Sequence, residues 1–181
     1  MKFSIVTPCR NAESFIEQTI RSVLSQKTKA TVQYVVMDGK SEDGTVDILR
    51  KYGKKIEWVS KKDKYHSDAL NKGFRKCDGD IFAWINADDW YEPGTFETVR
   101  RIFAEHPEVL WVAGFVRMVD REGRVIRKLL TRYKHFLLRH YSHRLQLVEN
   151  CFPQPSVFFR KEAFRKTGLL DCTSPNRPAF D

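Results

Sequence analysis

The sequence alternates between short apolar runs typical of buried strands and longer segments with helical periodicity. Apolar runs bounded by turn residues predict strands, and apolar residues recurring every three or four positions predict the helices between them. The predicted strands are Lys2–Thr7, Val32–Met37, Ile56–Ser60, Asp80–Asn86 and Leu110–Val119. The predicted helices begin near Asn11, Thr45, His66 and Thr95. This alternation favours an α/β fold with a mostly parallel central sheet and crossover helices.

Polar residues directly follow four of the predicted strands. These segments are Thr7–Asn11, Asp38–Ser41, Lys61–Tyr65 and Asn86–Asp89. In an open parallel sheet the carboxyl ends of the strands meet at one edge, where ligands usually bind. We therefore expect a functional site at this edge.

Two adjacent carboxylates, Asp88 and Asp89, end the last of these segments. Adjacent negative charges repel each other unless a cation or solvent screens them, and Mg²⁺ and Mn²⁺ prefer carboxylate oxygens. The residues alone are consistent with a metal site. They are equally consistent with a solvated turn in which Asp89 caps the following helix.

A second polar cluster, Asp38–Thr45, begins where a buried strand ends. Asp38 is suited to accept a hydrogen bond from a ring N–H, and the glycines of the cluster permit close approach of a ligand. An ordinary strand-to-helix loop with Asx turns explains the same residues. Neither G-x-G-x-x-G nor G-x-x-x-x-G-K-[ST] occurs, so the usual nucleotide-binding fingerprints are absent.

The formal net charge of +9 is concentrated in one segment. Residues 116–145 contain nine Lys or Arg residues against two acidic residues, a net charge of +7. Such a patch attracts phosphate groups, nucleic acid or an anionic membrane surface. It supports an alternative function, a noncatalytic basic module that binds nucleic acid or acidic glycan. That alternative leaves the carboxylates at the predicted sheet edge unexplained.

Residues 132–148 show helical periodicity inside this basic region. The apolar residues that share one face of the predicted helix are Tyr133, Phe136, Leu137, Tyr141, Leu145 and Val148. We expect a helix that packs on the core and has a solvated basic face. A surface helix lying on anionic lipid is the alternative.

The sequence shows no membrane span and no export signal. Spanning a bilayer takes roughly 20 apolar residues, and no run of that length occurs. The four cysteines lack a C-x-x-C pair or ligand spacing with histidine, which disfavours a zinc site or a disulfide scaffold. These observations predict a cytoplasmic protein with reduced thiols. Peripheral contact of the basic segment 116–145 with the inner face of the membrane is the alternative to a fully solvated basic face.

Four segments taken together resemble the family 2 glycosyltransferases. They are SIVTPCRNAESFIEQTIRSVLSQ (Ser4–Gln26), YVVMDGKSEDGTVDIL (Tyr34–Leu49), WVSKKDKYHSDALNKGFRKCDGDIFAWINADDWY (Trp58–Tyr91) and QPSVFFRKEAFRKTGLLD (Gln154–Asp171). The resemblance implies the GT-A fold, a Rossmann-like three-layer sandwich with a mostly parallel central sheet. It is expected to be C-terminally truncated, because the helices that usually close the acceptor site are lacking. Residues 1–181 would form one GT-A domain, with a nucleotide-sugar-binding part (1–115) and an acceptor-side part (116–181).

The resemblance implies an inverting glycosyltransferase that moves a sugar from a UDP- or dTDP-linked donor to an acceptor hydroxyl. The implied partners are a nucleotide-sugar donor and a glycan or lipid-linked acceptor of cell-surface polysaccharide synthesis, and no nucleic acid is expected. The implied nucleotide-binding residues are Thr7, Pro8, Asn11, Asp38, Asp63 and Asn86. The implied donor-sugar residues are Asp68 and Asn71, and Gln154 lies in the implied acceptor-side loop.

The resemblance also implies roles for the remaining acids. Asp88 takes the second acidic place of the family's D-x-D motif and should bind Mg²⁺ or Mn²⁺ that bridges the diphosphate, with Asp89 as an alternative ligand. An inverting displacement needs a base that accepts the acceptor's proton. Pro178–Asp181 resembles the start of the family's late acidic motif, so the implied base is Asp181. A terminal acid without a role is the alternative.

Two features of the sequence depart from the family pattern. Tyr65-His66 stands where relatives often have Gly-Gln, which changes the expected donor-sugar pocket. Asn86 replaces a common Asp, which lowers the negative charge beside the predicted metal ligands.

Overall fold

The computed structural model describes residues 1–172 of the chain. The strands are β1 (Lys2–Cys9), β2 (Thr31–Asp38), β3 (Glu57–Ser60), β4 (Ile81–Trp84), β5 (Trp111–Ala113) and β6 (Val157–Arg160). The helices are α1 (Ile16–Leu24), α2 (Thr45–Tyr52), α3 (His66–Lys76), α4 (Thr95–Glu105), α5 (Lys128–Arg139), α6 (His143–Gln146) and α7 (Lys161–Thr167). No helix in the described range is both long and apolar enough to cross a membrane.

The strands form one sheet in the order β3-β2-β1-β4-β6-β5. Strands β1 to β4 run parallel to one another, whereas β6 pairs antiparallel with β4. The predicted α/β fold class with a mostly parallel sheet is confirmed. The central strand β1 lies between β2 and β4, so the loops that follow these three strands all leave the sheet at the same edge.

The chain divides into two compact units. Of the described residues, one unit comprises Met1–Trp111 and Phe158–Cys172, and the other is Val112–Val157. The first unit contains the parallel part of the sheet with α1 to α4 and α7, and the second contains α5 and α6. The assignment of 1–115 and 116–181 to donor and acceptor remains a prediction.

Aromatic clusters cover both faces of the sheet in the first unit. On one face, Phe3 stacks on Phe96 of α4 with ring centroids 4.9 Å apart, and Phe158 contacts both rings. On the other face, Phe74 of α3 packs against Phe159. Because successive strand residues point to opposite faces, the adjacent residues 158 and 159 join different clusters. The sheet therefore has helical layers on both sides.

Helix α3 approaches the sheet closely at Gly73. A Cβ atom at this position would lie 2.5 Å from Val6 Cγ1 and 3.1 Å from Met37 Cγ. Only a residue without a side chain fits there unless the helix moves away from β1 and β2. This close approach fixes the height of α3 above the sheet, and with it the position of the loop that precedes the helix.

Strand β1 continues through Pro8, where the sequence suggested that it ends. Pro8 pairs in register with Met37 of β2, but the pairing of β1 with β4 already stops at Val6. The backbone N–H that proline lacks would point to the side of β4. Pro8 therefore breaks no hydrogen bond of the sheet.

The predicted strand Leu110–Val119 is wrong in length. The strand β5 ends at Ala113, and Val119 instead pairs with Val125 across a tight turn. Asp120 forms this turn, because its carboxylate accepts hydrogen bonds from the backbone N–H groups of Glu122 and Arg124. Gly123 supplies the positive φ that the turn requires.

The single helix predicted over 132–148 is also wrong. The structure has two helices, α5 and α6, separated by residues 140–142. Ser142 adopts an extended conformation and its hydroxyl accepts a hydrogen bond from Leu145 N, so it caps a new helix. The predicted buried face is exposed at Tyr133, Phe136 and Val148, whereas Leu137 is buried.

Replacing Gly73 with Ala should destabilise the protein. Overpacking against Val6 typically costs about 1–3 kcal/mol, which exceeds the gain of up to about 1 kcal/mol in helix propensity. We expect calorimetry to show a Tm lower by about 2–6 °C. Lys76→Ala on the exposed side of the same helix is the control and should change the Tm little. A Gly73→Ala protein as stable as the wild type would contradict the close approach of α3.

Candidate active site

The strand ends are joined by hydrogen bonds into one rim, which comprises the loops after β1, β2, β3 and β4. Gly39 N donates to Cys9 O at 2.8 Å, and Lys61 N donates to the backbone oxygen of Asp38 at 2.8 Å. His66 Nε2, at the start of α3, lies 3.2 Å from Asn86 Oδ1 after β4. The four polar segments that the sequence singled out therefore meet at one edge of the sheet.

Asp38 is buried at the end of β2 and is held by serine hydroxyl groups. Ser60 Oγ donates to Asp38 Oδ2 at 2.5 Å, and Ser41 donates both its backbone N–H and its hydroxyl to the carboxylate. Cys9 Sγ lies 3.8 Å from Asp38 Oδ1. Burial and the neighbouring Asp38 raise the pKa of the Cys9 thiol, so the thiol stays neutral beside the carboxylate.

Asn11 connects the loop after β1 to the loop after β2. Its backbone has φ of 51°, a left-handed conformation that Asn tolerates better than most residues. Asn11 N donates to Ser41 Oγ at 2.8 Å, and Asn11 Oδ1 accepts from Glu42 N at 2.9 Å. The side chain of Asn11 thus helps to shape the rim, while Thr7 and Pro8 are buried below it.

Asp63 and Asp68 share one cation, Lys72 of α3. Lys72 Nζ lies 2.8 Å from Asp63 Oδ1 and 2.6 Å from Asp68 Oδ2. Asp68 Oδ2 also accepts from Lys64 N at 2.9 Å, and this bond and Lys72 lower the pKa of Asp68. Asp63 lies beside Gly39, since its Oδ2 is 3.6 Å from the position of a Cβ there. The loop after β3 is therefore fixed next to the loop after β2.

Asn71, which the resemblance assigns to the donor sugar, is hydrogen-bonded to the chain after α7 in this structure. The side chain is buried, and its amide nitrogen donates to Leu170 O at 2.8 Å while its amide oxygen accepts from Leu170 N at 3.0 Å. These two bonds hold the segment that follows α7 against α3. In this structure the amide of Asn71 serves the fold, and its contact with a donor sugar remains a prediction.

The acid pair lies in a braced turn after β4. Thr19 of α1 donates its hydroxyl to the backbone oxygens of Ala87 and Asp89, both at 2.7 Å. Asp88 is exposed and Asp89 is half-buried. Burial, and then repulsion from Asp88, raise the pKa of Asp89 to about 6. The turn therefore holds Asp89 where its negative charge is unfavourable, half-buried and next to the charge of Asp88.

A divalent cation fits the chemistry of this acid pair. Across residues 1–172 there is no group of three or more His, Cys, Asp or Glu side chains placed to hold a metal ion by themselves. Mg²⁺ and Mn²⁺ commonly take one or two carboxylates and complete their coordination with water and substrate phosphate oxygens. Asp88 and Asp89 match that requirement, and a cation would relieve their repulsion.

Two predicted site residues cannot be placed at the rim. Gln154 lies in a 3₁₀ turn, Gln154–Ser156, of the second unit, where Ser156 bonds to Gly114. Asp181, the predicted base, lies outside the described residues. Sequence reasoning also missed Lys72, although its position four residues after Asp68 on a predicted helix is a signal for an ion pair.

Comparison with known proteins decides the family. A family model described as "Glycosyl transferase family 2" matches residues 4–168. The chain belongs to glycosyl transferase family 2. An uncharacterized glycosyltransferase of Rickettsia conorii is 28% identical over 98% of this chain and 30% of its own length. The minor teichoic acid biosynthesis protein GgaB of Bacillus subtilis is 28% identical over 58% of this chain and 12% of its own length.

Solved structures confirm the GT-A fold of this family 2 chain. TarS of S. aureus in complex with UDP-GlcNAc superposes with a TM-score of 0.69 at 19% identity, over 94% of this chain and 49% of that one. The mannosyltransferase PcManGT of Pyrobaculum calidifontis in complex with GDP-Man and Mn²⁺ has a TM-score of 0.69 at 19% identity. The match covers 93% of this chain and 47% of PcManGT. This chain spans about a third of its Rickettsia conorii relative and about half of these two structures.

The stability of the protein should depend on pH through Asp89. The pKa of Asp89 is about 6 in the folded protein and about 3.8 in the unfolded chain, so the folded state binds more protons between these values. The free energy of unfolding should therefore fall as the pH rises from about 4 to about 6. Asp89→Asn removes this loss, which is at most about 3 kcal/mol.

Urea unfolding of the wild type and of Asp89→Asn between pH 4 and 7.5 measures this effect. The difference between their free energies of unfolding isolates Asp89, because both proteins contain the same other carboxylates. Asp89→Asn should match the wild type near pH 4 and be more stable at pH 7. Asp47→Asn, an exposed acid on α2, is the control and should show no such divergence. Parallel pH profiles for wild type and Asp89→Asn would contradict the raised pKa of Asp89.

Proposed function

We propose that the protein transfers a sugar from a UDP- or dTDP-linked donor to an acceptor hydroxyl with inversion at the anomeric carbon. The observation that carries this proposal is the joined rim, where the loops after β1, β2 and β3 adjoin the acid pair after β4. A nucleotide diphosphate needs a polar pocket for its base and ribose next to a site that neutralises its phosphates. This proposal is supported by polar loops and a candidate cation site that adjoin in a chain of glycosyl transferase family 2.

The base and ribose of the donor would occupy the loops after β1, β2 and β3. Asn11 and Asp63 lie at this part of the rim, and Asp38 supports it from below through Ser41 and Ser60. Thr7 and Pro8 shape the floor, and Asn86 lies on the side of the acid pair, where it is suited to contact the ribose. Asp68 would border the donor sugar.

Asp88 and Asp89 would hold Mg²⁺ or Mn²⁺. When bound, the cation neutralises the charge that develops on the departing nucleotide diphosphate. The support from this chain is the acid pair itself, in which burial and mutual repulsion leave one carboxylate with a pKa of about 6. The solved structure of PcManGT, which shares the fold, is a complex with GDP-Man and Mn²⁺.

A single displacement accounts for inversion. The acceptor oxygen forms a bond to the anomeric carbon while the bond from that carbon to the β-phosphate oxygen breaks, and the pair of electrons leaves with the diphosphate. The proton of the acceptor hydroxyl passes to a carboxylate on the opposite side of the sugar. We assign this base to Asp181, on the motif Pro178–Asp181.

The acceptor would be a glycan or a lipid-linked glycan of the cell surface, handled by the acceptor-side part 116–181 with Gln154 in its loop. GgaB, a minor teichoic acid biosynthesis protein, matches more than half of this chain, which supports a polymer of the cell surface as the acceptor. We expect no role for nucleic acid.

The second unit carries a surface suited to an anionic membrane. Leu129, Tyr133 and Phe136 are exposed on α5 at positions that share one helical face, and Leu129 is 81% exposed. Arg132 and Arg139 lie along the same face and are exposed. Apolar side chains flanked by arginine bind the interface of a bilayer with anionic headgroups, which are enriched in the cytoplasmic leaflet. These features support the proposal that the protein binds peripherally to that leaflet.

Nucleotide and metal binding should be visible as a thermal shift. UDP with Mn²⁺ at a hundredfold excess over Kd stabilises a folded protein by about 2.7 kcal/mol, or a Tm rise of about 5–10 °C for a chain of this size. EDTA and Asp88→Asn should each abolish the part of the Tm rise that depends on the metal. Glu105→Gln, which removes an exposed acid at the C-terminal end of α4, should bind like the wild type. A UDP response that is equal with and without Mn²⁺ would count against the metal site.

Membrane binding should rise with the content of anionic lipid in co-sedimentation with vesicles of phosphatidylcholine and phosphatidylglycerol. Leu129→Ser with Phe136→Ser should weaken binding by roughly tenfold or more, because it removes burial worth on the order of 1–3 kcal/mol for each side chain. Arg132→Gln with Arg139→Gln should remove most of the dependence on anionic lipid.

The matched control is Lys54→Gln with Lys55→Gln, which removes two exposed cations of the first unit. This control should bind vesicles like the wild type. A duplex oligonucleotide should not compete with the vesicles. The proposed membrane surface would be refuted if vesicle binding did not depend on the content of anionic lipid, or if the oligonucleotide displaced the protein from the vesicles.

A further inference from the structure

The lysine between two carboxylates at the rim is more than a surface ion pair. The side chain of Asp63 is 9% exposed and that of Lys72 is 33% exposed, so the contact is shielded from solvent on the side of the acid. The bond to Asp63 is the largest cause of the raised pKa of Lys72, which keeps the ammonium protonated. Asp68, one helical turn before Lys72, also pairs with this ammonium: its Oδ2 lies 2.6 Å from Lys72 Nζ.

The cluster of Asp63, Asp68 and Lys72 holds the two carboxylate oxygens of Asp63 in different environments. Oδ1 accepts from Lys72 Nζ at 2.8 Å, whereas Oδ2 lies beside Gly39 at the loop after β2. Within the described part of the chain, no group donates a hydrogen bond to Oδ2. One ammonium serves two carboxylates, so the cluster keeps a net charge of −1 and retains capacity to accept a further N–H.

Lys72 also fixes the loop that carries Asp63. Asp68 Oδ2 accepts from Lys64 N at 2.9 Å, so the acid that anchors Lys72 also holds the backbone next to Asp63. Helix α3, which carries both Asp68 and Lys72, is in turn fixed against the sheet at Gly73. The direction of the Asp63 carboxylate is therefore determined by a chain of contacts that starts in the core.

We infer that Lys72 is a positioning residue that selects the donor base, because it occupies Oδ1 of Asp63 and leaves Oδ2 to accept a ring N–H. This inference rests on the proposed nucleotide site at the rim. Uracil and thymine present an N–H donor at ring position 3, whereas cytosine presents an acceptor there. An anionic oxygen held in place favours the first two bases, so the site prefers UDP or dTDP over CDP.

Substitution of Asp63 by Asn provides a sharp test. While Lys72 is present, the ammonium takes the amide oxygen and directs the amide NH₂ to the position of Oδ2. The group that faces the base then changes from an acceptor to a donor. Asp63→Asn should therefore bind CDP more tightly than UDP. The double variant Asp63→Asn with Lys72→Met should bind both equally, because no ammonium orients the amide.

The experiment is isothermal titration of UDP and CDP, each with Mn²⁺, into the wild type and variants. The wild type should bind UDP more tightly than CDP by roughly tenfold or more, the size of a hydrogen bond to a charged group. Lys72→Met should lower UDP affinity by about this factor and leave CDP affinity unchanged, whereas Lys72→Arg should stay within about threefold of the wild type for both. Lys76→Met, on the exposed side of α3, is the matched control.

The outcomes separate this inference from the proposed function. If the wild type and Lys76→Met bind neither nucleotide, the proposed function fails and the inference fails with it. If the wild type binds UDP but Lys72→Met weakens UDP and CDP equally, Lys72 only stabilises the fold and the inference is overturned. If Lys72→Met does not fold, the Asp63→Asn protein decides alone, and an unchanged preference for UDP overturns the inference.

Discussion

The position of β1 between β2 and β4 determines where the chemistry of this protein can lie. Parallel pairing on both sides of β1 brings Asp38, at the end of β2, and the acid pair after β4 to the same edge of the sheet. Hydrogen bonds from Gly39 to Cys9 and from Lys61 to the backbone of Asp38 then join successive loops. Any change that displaced β1 would separate the nucleotide part of the rim from the acid pair.

Several carboxylates lie at the rim, and the chain stabilises them in different ways. Asp38 receives hydrogen bonds from serine hydroxyl groups, and Asp63 receives the ammonium of Lys72. Across residues 1–172, neither Asp88 nor Asp89 forms an ion pair with a basic side chain. Burial, and then repulsion from Asp88, raise the pKa of Asp89, so the acid pair is the part of the rim where a bound cation would relieve the most repulsion.

Local signals in the sequence predicted most of the sheet and the location of the rim. Apolar runs identified the strands, and the polar residues after them identified the edge where a site should lie. The helix beginning at His66 was also correct, because apolar periodicity and the following break are both local. The acid pair was visible as a candidate metal site, although its braced turn depends on Thr19, far away in sequence.

The errors arise where a distant or subtle contact overrides periodicity. Apolar residues continue at helical spacing through 132–148, but the cap at Ser142 starts a second helix and leaves much of the expected buried face exposed. The bonds of Asn71 to Leu170 and of Lys72 to Asp63 depend on tertiary packing, which spacing along the chain does not reveal. The role of Asp181 remains a prediction, since it lies outside the described residues.

The central claim is that one rim binds both the base and the metal-bound diphosphate of the donor. The most direct measurement is a crystal structure with UDP and Mn²⁺, with data collected at the manganese absorption edge. The account predicts that the manganese peak lies at Asp88 and Asp89, with the diphosphate next to it and uracil between the loops after β2 and β3. A manganese peak or a uracil ring bound away from these loops would contradict it.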